Sequence, residues 1–443
     1  VSLHRIVVVG GGAGGLELAT KLGEKFGRGK TARVTLVDRY PTHIWKPLLH
    51  EVAAGSMDPS THQLEYAAQA HWHGFEFVQG ELIALDRVTR TLTLAAVPAA
   101  PDEGGGDLLP QRSLPYDTLV LAIGSTTHFF GVPGAQENTI ALDTVEQAER
   151  FRRRLLAACM RAESASASGG PDSAKHQVHL AIVGAGATGV ELSAELRNTA
   201  QVLGAYGLHS LDPKKDIRIT IIEAGPRILP ALPERVSTAT SELLAKLDVE
   251  ISAGDPVSEV RSNEVLTRSG RVIPADVTVW AAGIKAPAVL GTLDGLAVNR
   301  LNQIQVGPTL QSETDPNIFA FGDCASCAWP ERKSFVPPRA QAAHQQASFL
   351  VKAIAARLKD QPLPVFAYRD FGSLVSLGVF SAVGNLMGGL IGGSMFIEGL
   401  FARIMYTSLY RMHVTALHGV WRMLLDTLAH RLRRSTVPRV KLH

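Results

Sequence analysis

At 443 residues, 46% hydrophobic and 19% charged, the chain has length for two or three domains and too much apolar content for disorder. Its three cysteines, Cys159, Cys324 and Cys327, exclude a disulfide framework and make a reducing compartment the expectation. The net charge of +3 is unevenly spread: residues 394–443 hold eight Lys or Arg against two acids, so that tail carries +6 and the remainder −3. A basic, apolar tail on an acidic body calls for an anionic partner, either nucleic acid or a membrane surface.

In chain order, "VSLHRIVVVGGG" enters a strand almost at once, without the basic region, apolar segment and cleavage site of a secretory signal, which is therefore not expected. "RIVVVGGGAGGLELATKL" runs from an apolar β-branched strand into a helical pattern, with Gly10, Gly12 and Gly15 as G-x-G-x-x-G at the turn. The first glycine makes the turn, the second admits a pyrophosphate, and the third lets helix and strand pack; the helix N-terminus offers N–H donors to phosphate. A second strand, "ARVTLVDR", ends at Asp38, where a carboxylate would accept from ribose hydroxyls. "HWH" at 71–73 has no partner ligands, so packed or solvated histidines are expected and no metal. "PAAPDEGGGDLLPQ" (98–111) reads as a mobile hairpin loop, and "ASASGGPDSAKHQ" (165–177) as a linker.

The pattern then repeats. "HLAIVGAGATGVELSAELR" places Gly184, Gly186 and Gly189 at the same spacing, and "IRITIIEAG" ends its strand at Glu223 after an inserted loop, "YGLHSLDPKKD". An acid at that position favours a free 2′-hydroxyl, hence NADH over NADPH; Arg227, four residues on, is a cation that would soften the preference. "YDTLVLAIGS" and "ADVTVWAAGIKA", the latter with Gly283, are apolar strands running into glycine turns, and "TDPNIFAFGDCAS" ends a short strand at Gly322-Asp323.

This set, over most of residues 1–330, resembles the two-dinucleotide-binding flavoprotein reductases. The resemblance implies an α/β protein with two Rossmann-like folds, the NADH domain inserted in the FAD domain. FAD would sit at the first fold, NADH at the second, and Asp323 would bond the flavin ribitol. The boundaries expected are 1–165 and 308–370 for the FAD domain, 176–307 for the NADH domain and 371–443 for a C-terminal region. Because a flavin passes electrons to varied acceptors, the acceptor defines the enzyme. Disulfide and sulfide:quinone reductases need a cysteine pair beside the flavin, and "RYPTHIWKPLLHEVAAG" has none. Cys324 and Cys327 form C-x-x-C but lack further ligands for zinc and do not open a thioredoxin unit; two small packed residues near the flavin are expected.

"KPLLHEVA", "TGVELSAEL", "VWAAGIKAP", "GDCASC", "VPPRAQAAHQ" and "SLYRMH", in order along the chain, narrow the resemblance to the bacterial type II NADH:quinone oxidoreductases. It implies hydride transfer from NADH to FAD and two-electron reduction of a quinone, without proton pumping. In "VPPRAQAAHQQA" prolines stop the preceding chain, and Gln341 and Gln345 lie one helical turn apart on one face. By resemblance they border the quinone head group, where neutral amides donate hydrogen bonds without burying charge. Glu191 has two readings: an acid favoured in a helix first turn by the dipole, or, by resemblance, a group near nicotinamide and flavin. Lys46 lies, by resemblance, in the loop approaching the flavin.

From 371 to 397 there are 27 residues without a charge, but seven are glycine and the pattern favours strands over a spanning helix. Beyond it, Leu400, Ile404, Leu409, Val414, Leu417, Val420, Trp421, Leu424, Leu425 and Leu428 recur with helical period, interleaved by Arg403, Arg411, Arg422 and Arg431. That is an interfacial amphipathic pattern; a helix hairpin buried in a dimer is the other reading, and the two are compatible. The expected partners are ubiquinone or menaquinone, an anionic membrane surface and a second copy as homodimer, with no nucleic acid. The expected location is peripheral, on the cytoplasmic face of a bacterial inner membrane. Two rival functions are an NADH-dependent reductase of a soluble protein acceptor and an NADH-sensing flavoprotein scaffold.

Overall fold

A computed structural model describes residues 3–99, 104–167, 177–205, 212–377, 381–388, 393–398, 408, 411–417 and 419–433. The chain divides into two compact units, one of residues 1–45, 62–126 and 284–369, the other of 46–61, 127–283 and 370–443.

The first unit is built on a five-stranded parallel sheet in the order Ile318–Ala320, Thr118–Leu121, His4–Val9, Ala32–Asp38, Glu76–Gln79. Its central strand reads as an unbroken apolar run because both faces are covered: Ile6, Val7 and Val8 are all buried. Helix Ala13–Leu22 follows that strand and packs against helix Ala340–Arg357, which carries Gln341 and Gln345. A separate antiparallel sheet joins Leu82–Asp86, Thr91–Leu94 and Arg112–Pro115. The glycine-rich stretch expected to be a hairpin loop has Val97–Pro98 running antiparallel to Asp107–Leu109.

The second unit repeats the plan. Its parallel sheet has the order Ile140–Ala141, Val277–Trp280, Val178–Val183, Ile217–Glu223, Val249–Ala253, and helix Ala187–Ala205 follows the central strand. The two Rossmann-like folds expected from the repeated fingerprints are thus both present. Helix Leu49–Ala54 packs on helices Val145–Ala167 and Ala187–Ala205. Buried Arg197, on the last of these, donates to the carbonyls of Pro213, Ile217 and Asp248 at 2.7, 3.0 and 2.8 Å and ties three chain segments to one helix.

Domain boundaries drawn from the linkers need correction. The expected first domain includes residues 127–165, yet Ile140–Ala141 extends the second sheet beside Val277–Trp280, and helix Val145–Ala167 packs on that sheet. Backbone pairing, invisible in composition, places them there. Residues 46–61 join the second unit for the same kind of reason, through the packing of Leu49–Ala54.

The uncharged segment after residue 370 forms strands: Gly372–Leu377, Ser381–Gly388 and Gly393–Glu398, an antiparallel sheet in that order. It packs on helices Ala187–Ala205 and Glu234–Lys246. Residues 411–417 and Val420–Arg433 are helical. Leu400, Ile404, Leu409 and Arg403 lie outside the described residues. No helix among the described residues is long and apolar enough to cross a membrane.

Candidate functional site

Both fingerprints are built the same way. Gly10 has φ +103°, and a Cβ there would stand 2.4 Å from the Ala122 carbonyl oxygen; at Gly15 it would stand 1.8 Å from the Gly10 carbonyl oxygen. At Gly12 a Cβ would meet no atom within 4 Å, so this face of the turn is open. Gly184 matches Gly10 with φ +103°, a Cβ at Gly189 would stand 2.0 Å from the Gly184 oxygen, and Gly186 is again open. Backbone that approaches closely on two sides and opens on the third, at a helix N-terminus, is a cradle that fits a dinucleotide pyrophosphate.

Each acid closes its turn. Asp38 accepts from the Gly11 N–H at 2.6 Å and the Tyr40 N–H at 2.9 Å; Glu223 accepts from the Ala185 and Gly225 N–H groups, both at 2.8 Å. Burial pushes the Asp38 carboxyl above its ordinary range, opposed by those amide bonds. A carboxylate has about four lone-pair sites, so both acids retain capacity for a ribose hydroxyl. Arg227, the cation expected to soften selectivity, is engaged elsewhere: its guanidinium donates to the carbonyls of Leu229, Pro230 and Leu232 at 3.1, 3.0 and 2.9 Å.

In the first unit Asp323 lies in the tight turn Gly322–Cys324 and accepts from the Ser125 hydroxyl at 2.7 Å. The turn is held by two amides missed in the sequence. Gln303 donates to the Asp323 carbonyl at 3.0 Å, and buried Gln346 accepts from the Gly322 N–H at 2.9 Å. Cys324 and Cys327 are buried free thiols, both pushed up to about 11 by burial, which suits packing and not thiolate chemistry. His71 is exposed, and His73 pairs with Glu24 at 2.7 Å. Gln345 is engaged with backbone. It donates to the Arg369 carbonyl at 2.8 Å and accepts from the Arg369 N–H at 3.0 Å, a two-bond pairing that leaves one amide N–H beyond it. Gln341 lies in the first turn of the same helix, half-buried.

In the second unit Gly283 has φ +66°, and a Cβ there would strike the Phe130 ring at 2.2 Å. Lys46 pairs with Asp143 at 2.8 Å, and Asp143 also accepts from the Thr127 N–H at 2.9 Å. Burial would raise the Asp143 carboxyl, but the Lys46 charge and these bonds outweigh it and hold the group below its ordinary range. Glu191 is not in a helix first turn. The helix begins at Ala187, which puts Glu191 in its second turn and removes the dipole argument. Its buried carboxylate accepts from the Ser376 N–H at 3.0 Å and lies 3.7 Å from the His50 Nδ1. Burial pushes His50 down to about 4, so at neutral pH that contact joins a carboxylate to a neutral imidazole.

His43 is likewise pushed down to about 4 by burial. A histidine that holds its proton less tightly when folded than at its ordinary 6.5 stabilises the fold above about pH 6.5. That stability is lost as pH falls toward 4, and the contribution is flat below. Each ring accounts for up to about 3 kcal/mol. The thermal midpoint is therefore expected to fall between pH 6.5 and 4, and His50→Gln to reduce the slope of stability against pH by about one proton; an unchanged slope would contradict the buried neutral ring.

A family model described as pyridine nucleotide-disulphide oxidoreductase matches residues 4–347. The chain is 44% identical over 449 aligned residues to a type II NADH:quinone oxidoreductase of Haemophilus influenzae, covering 100% of both. It is 28% identical to one of Mycobacterium tuberculosis, over 86% of this chain and 80% of the relative. Among solved structures it is similar to NDH2 from Plasmodium falciparum in complex with NADH, with TM-score 0.81, 99% of each chain covered and 17% identity. A sulfide:quinone oxidoreductase from Aquifex aeolicus gives 0.72 at 18% identity, over 98% of this chain and 96% of that one. Those structural likenesses speak for the fold, while the full-length match at 44% identity speaks for the family. This chain belongs to the type II NADH:quinone oxidoreductases, within the pyridine nucleotide-disulphide oxidoreductase family.

Proposed function

We propose that this chain oxidises NADH at its second dinucleotide fold and reduces ubiquinone or menaquinone beside helix Ala340–Arg357, without pumping protons. The observation that carries the reading is the doubled cradle: two open glycine turns, each closed by a strand-end acid. Gly10, Gly12, Gly15, Asp38 and Asp323 would hold FAD; Gly184, Gly186, Gly189, Glu223 and Gly283 would hold NADH. Bound there, FAD would supply two-electron redox chemistry between NADH and the quinone. The protein's part is positioning, since stacked rings need no side-chain nucleophile. Gln341 and the remaining N–H of Gln345 supply neutral donors for quinone oxygens, and no buried cation is required. Glu191 anchors the strand Gly372–Leu377 to the helix that follows the NADH turn. Lys46, paired with Asp143, fixes the start of the segment before Leu49–Ala54.

The tail supports peripheral attachment to an anionic bilayer, on the cytoplasmic face of a bacterial inner membrane. Val420, Trp421, Leu424, Leu425 and Leu428 are exposed along one helix, with Trp421 82% exposed. Such a face matches an acyl boundary, and association of two copies through the same face would make the homodimer.

Three outcomes test this reading. Anaerobic NADH should bleach the flavin rapidly and a soluble quinone analogue restore it; Gln341→Ala with Gln345→Ala should slow the restoration by about tenfold or more while leaving bleaching intact. Bleaching without restoration in the parent protein would point to another acceptor. With Arg227 occupied by carbonyls, Glu223→Ala should narrow the kcat/KM preference for NADH over NADPH by about tenfold; an equal preference in the parent would refute the selectivity argument. Trp421→Ser with Leu425→Ser should lower co-sedimentation with anionic vesicles, and undiminished binding would remove this helix from the membrane contact.

A further inference from the structure

The two glycine turns share their acid-to-amide bond but differ at the neighbouring carbonyl. The Gly11 carbonyl accepts two side-chain donors, the Tyr66 hydroxyl at 2.7 Å and the His43 Nδ1 at 2.8 Å. A carbonyl only accepts, so Nδ1 of His43 carries the proton. Both side chains are buried. At the corresponding place in the second turn the Ala185 carbonyl takes one backbone donor, the Leu229 N–H at 2.8 Å. Residue choice follows from this difference. A Cβ at Gly11 would stand 2.4 Å from the Tyr66 hydroxyl, whereas Ala185 carries its Cβ in the matching position. Gly11 is outside the G-x-G-x-x-G pattern, and the tyrosine is the physical reason for it.

We infer that His43 and Tyr66 are positioning residues for the phosphate-bearing turn of the first fold and set the firm retention of its resident dinucleotide. The Gly11 carbonyl and the Gly12 N–H are the two ends of one planar peptide. Two donors on its oxygen fix the orientation of that plane and polarise it, which strengthens the N–H as a donor to an anion. Gly12 is the N-cap of helix Ala13–Leu22, and its outer side is open. Among the described residues no such pair of side chains meets the second turn, as suits a nucleotide that must leave after every turnover. The inference rests on the reading of the first fold as the FAD site.

The test uses the purified holoprotein and three variants, His43→Leu, His43→Asn and Tyr66→Phe. The readouts are the rate of FAD release on dilution, followed by flavin fluorescence, NADH affinity by titration, and the thermal midpoint at saturating FAD. His43→Leu and Tyr66→Phe are each expected to speed FAD release about fivefold, the net effect of one hydrogen bond, with NADH affinity unchanged. His43→Asn, which keeps an N–H donor where Nδ1 stands, should restore retention to within about twofold. Unchanged release in both removal variants would overturn the inference. So would FAD retention, NADH affinity and thermal midpoint falling together with His43→Asn no better than His43→Leu, which marks a merely structural role. Parent protein that holds no FAD at all would instead overturn the assignment of the first fold, and the inference with it.

Discussion

The bond on which both halves of this protein depend runs from a strand-end carboxylate to the amide that follows the first glycine of each fingerprint: Asp38 to Gly11 at 2.6 Å and Glu223 to Ala185 at 2.8 Å. Around it the backbone repeats itself. The first glycine donates to the neighbouring strand (Gly10 to Val37, Gly184 to Ile222, both 2.8 Å), and the second accepts from the helix (Leu16 to Gly12, Val190 to Gly186). Strand, turn and helix are closed into one corner, open at its second glycine. A half-buried carboxylate needs donors to replace the water it loses, and here the glycine turn supplies them. The acid that orients the turn is the same acid whose spare lone pairs are available to a ribose, so nucleotide recognition and local folding share one side chain.

The glycines of that corner are local in sequence and its acid stands at the end of a recognisable second strand, which is why it was legible. Glycine spacing, the β-branched runs and the acids at the ends of the second strands together placed two Rossmann-like folds correctly. The side chains that brace the corners were not legible. Tyr66 and His43 reach Gly11 from 55 and 32 positions away, and nothing in their neighbourhood marks them except an unexplained glycine at 11. Gln346 shows how narrow the margin is. The spaced pair Gln341 and Gln345 drew attention, yet one residue further round the helix, about 100°, Gln346 is the buried amide that holds the Gly322 turn. The helix begins at Ala187, which carries Glu191 out of the first turn and removes the electrostatic argument. The domain boundaries failed for a related reason, since a two-residue strand, Ile140–Ala141, carries no compositional signal but decides by pairing which sheet its neighbours join.

In the tail the expected strands are present. Glycine-rich, uncharged sequence became an antiparallel sheet, because without charges or a long apolar helical stretch the backbone satisfies its polar groups by pairing between strands. The following helix leaves Val420, Trp421, Leu424, Leu425 and Leu428 exposed. A row of large apolar side chains on one helix is costly in water and inexpensive in a lipid interface or against another copy.

The residues singled out for chemistry also hold the chain in place, and this bears on how their roles can be separated. Gln345 pairs with both backbone groups of Arg369 in the first unit, and Glu191 binds the Ser376 N–H in the second. The stretch from 369 to 376, which leads into the C-terminal sheet, is therefore fixed near both ends by side chains that sequence resemblance assigns to the redox site. Truncating either to alanine removes a backbone partner together with any contact to substrate, and a loss of rate then has two causes. Conservative changes divide them. Gln345→Glu keeps an acceptor for the Arg369 N–H and gives up the donors, while Glu191→Gln keeps an acceptor for Ser376 and gives up the charge. Because Gln345→Glu also loses the donor to the Arg369 carbonyl, its rate is read together with its thermal midpoint: slower reoxidation at an unchanged midpoint assigns the loss to the quinone contact, and rate and midpoint falling together assign it to the tether. The tether is the part that the geometry shows: one amide holds both backbone groups of Arg369.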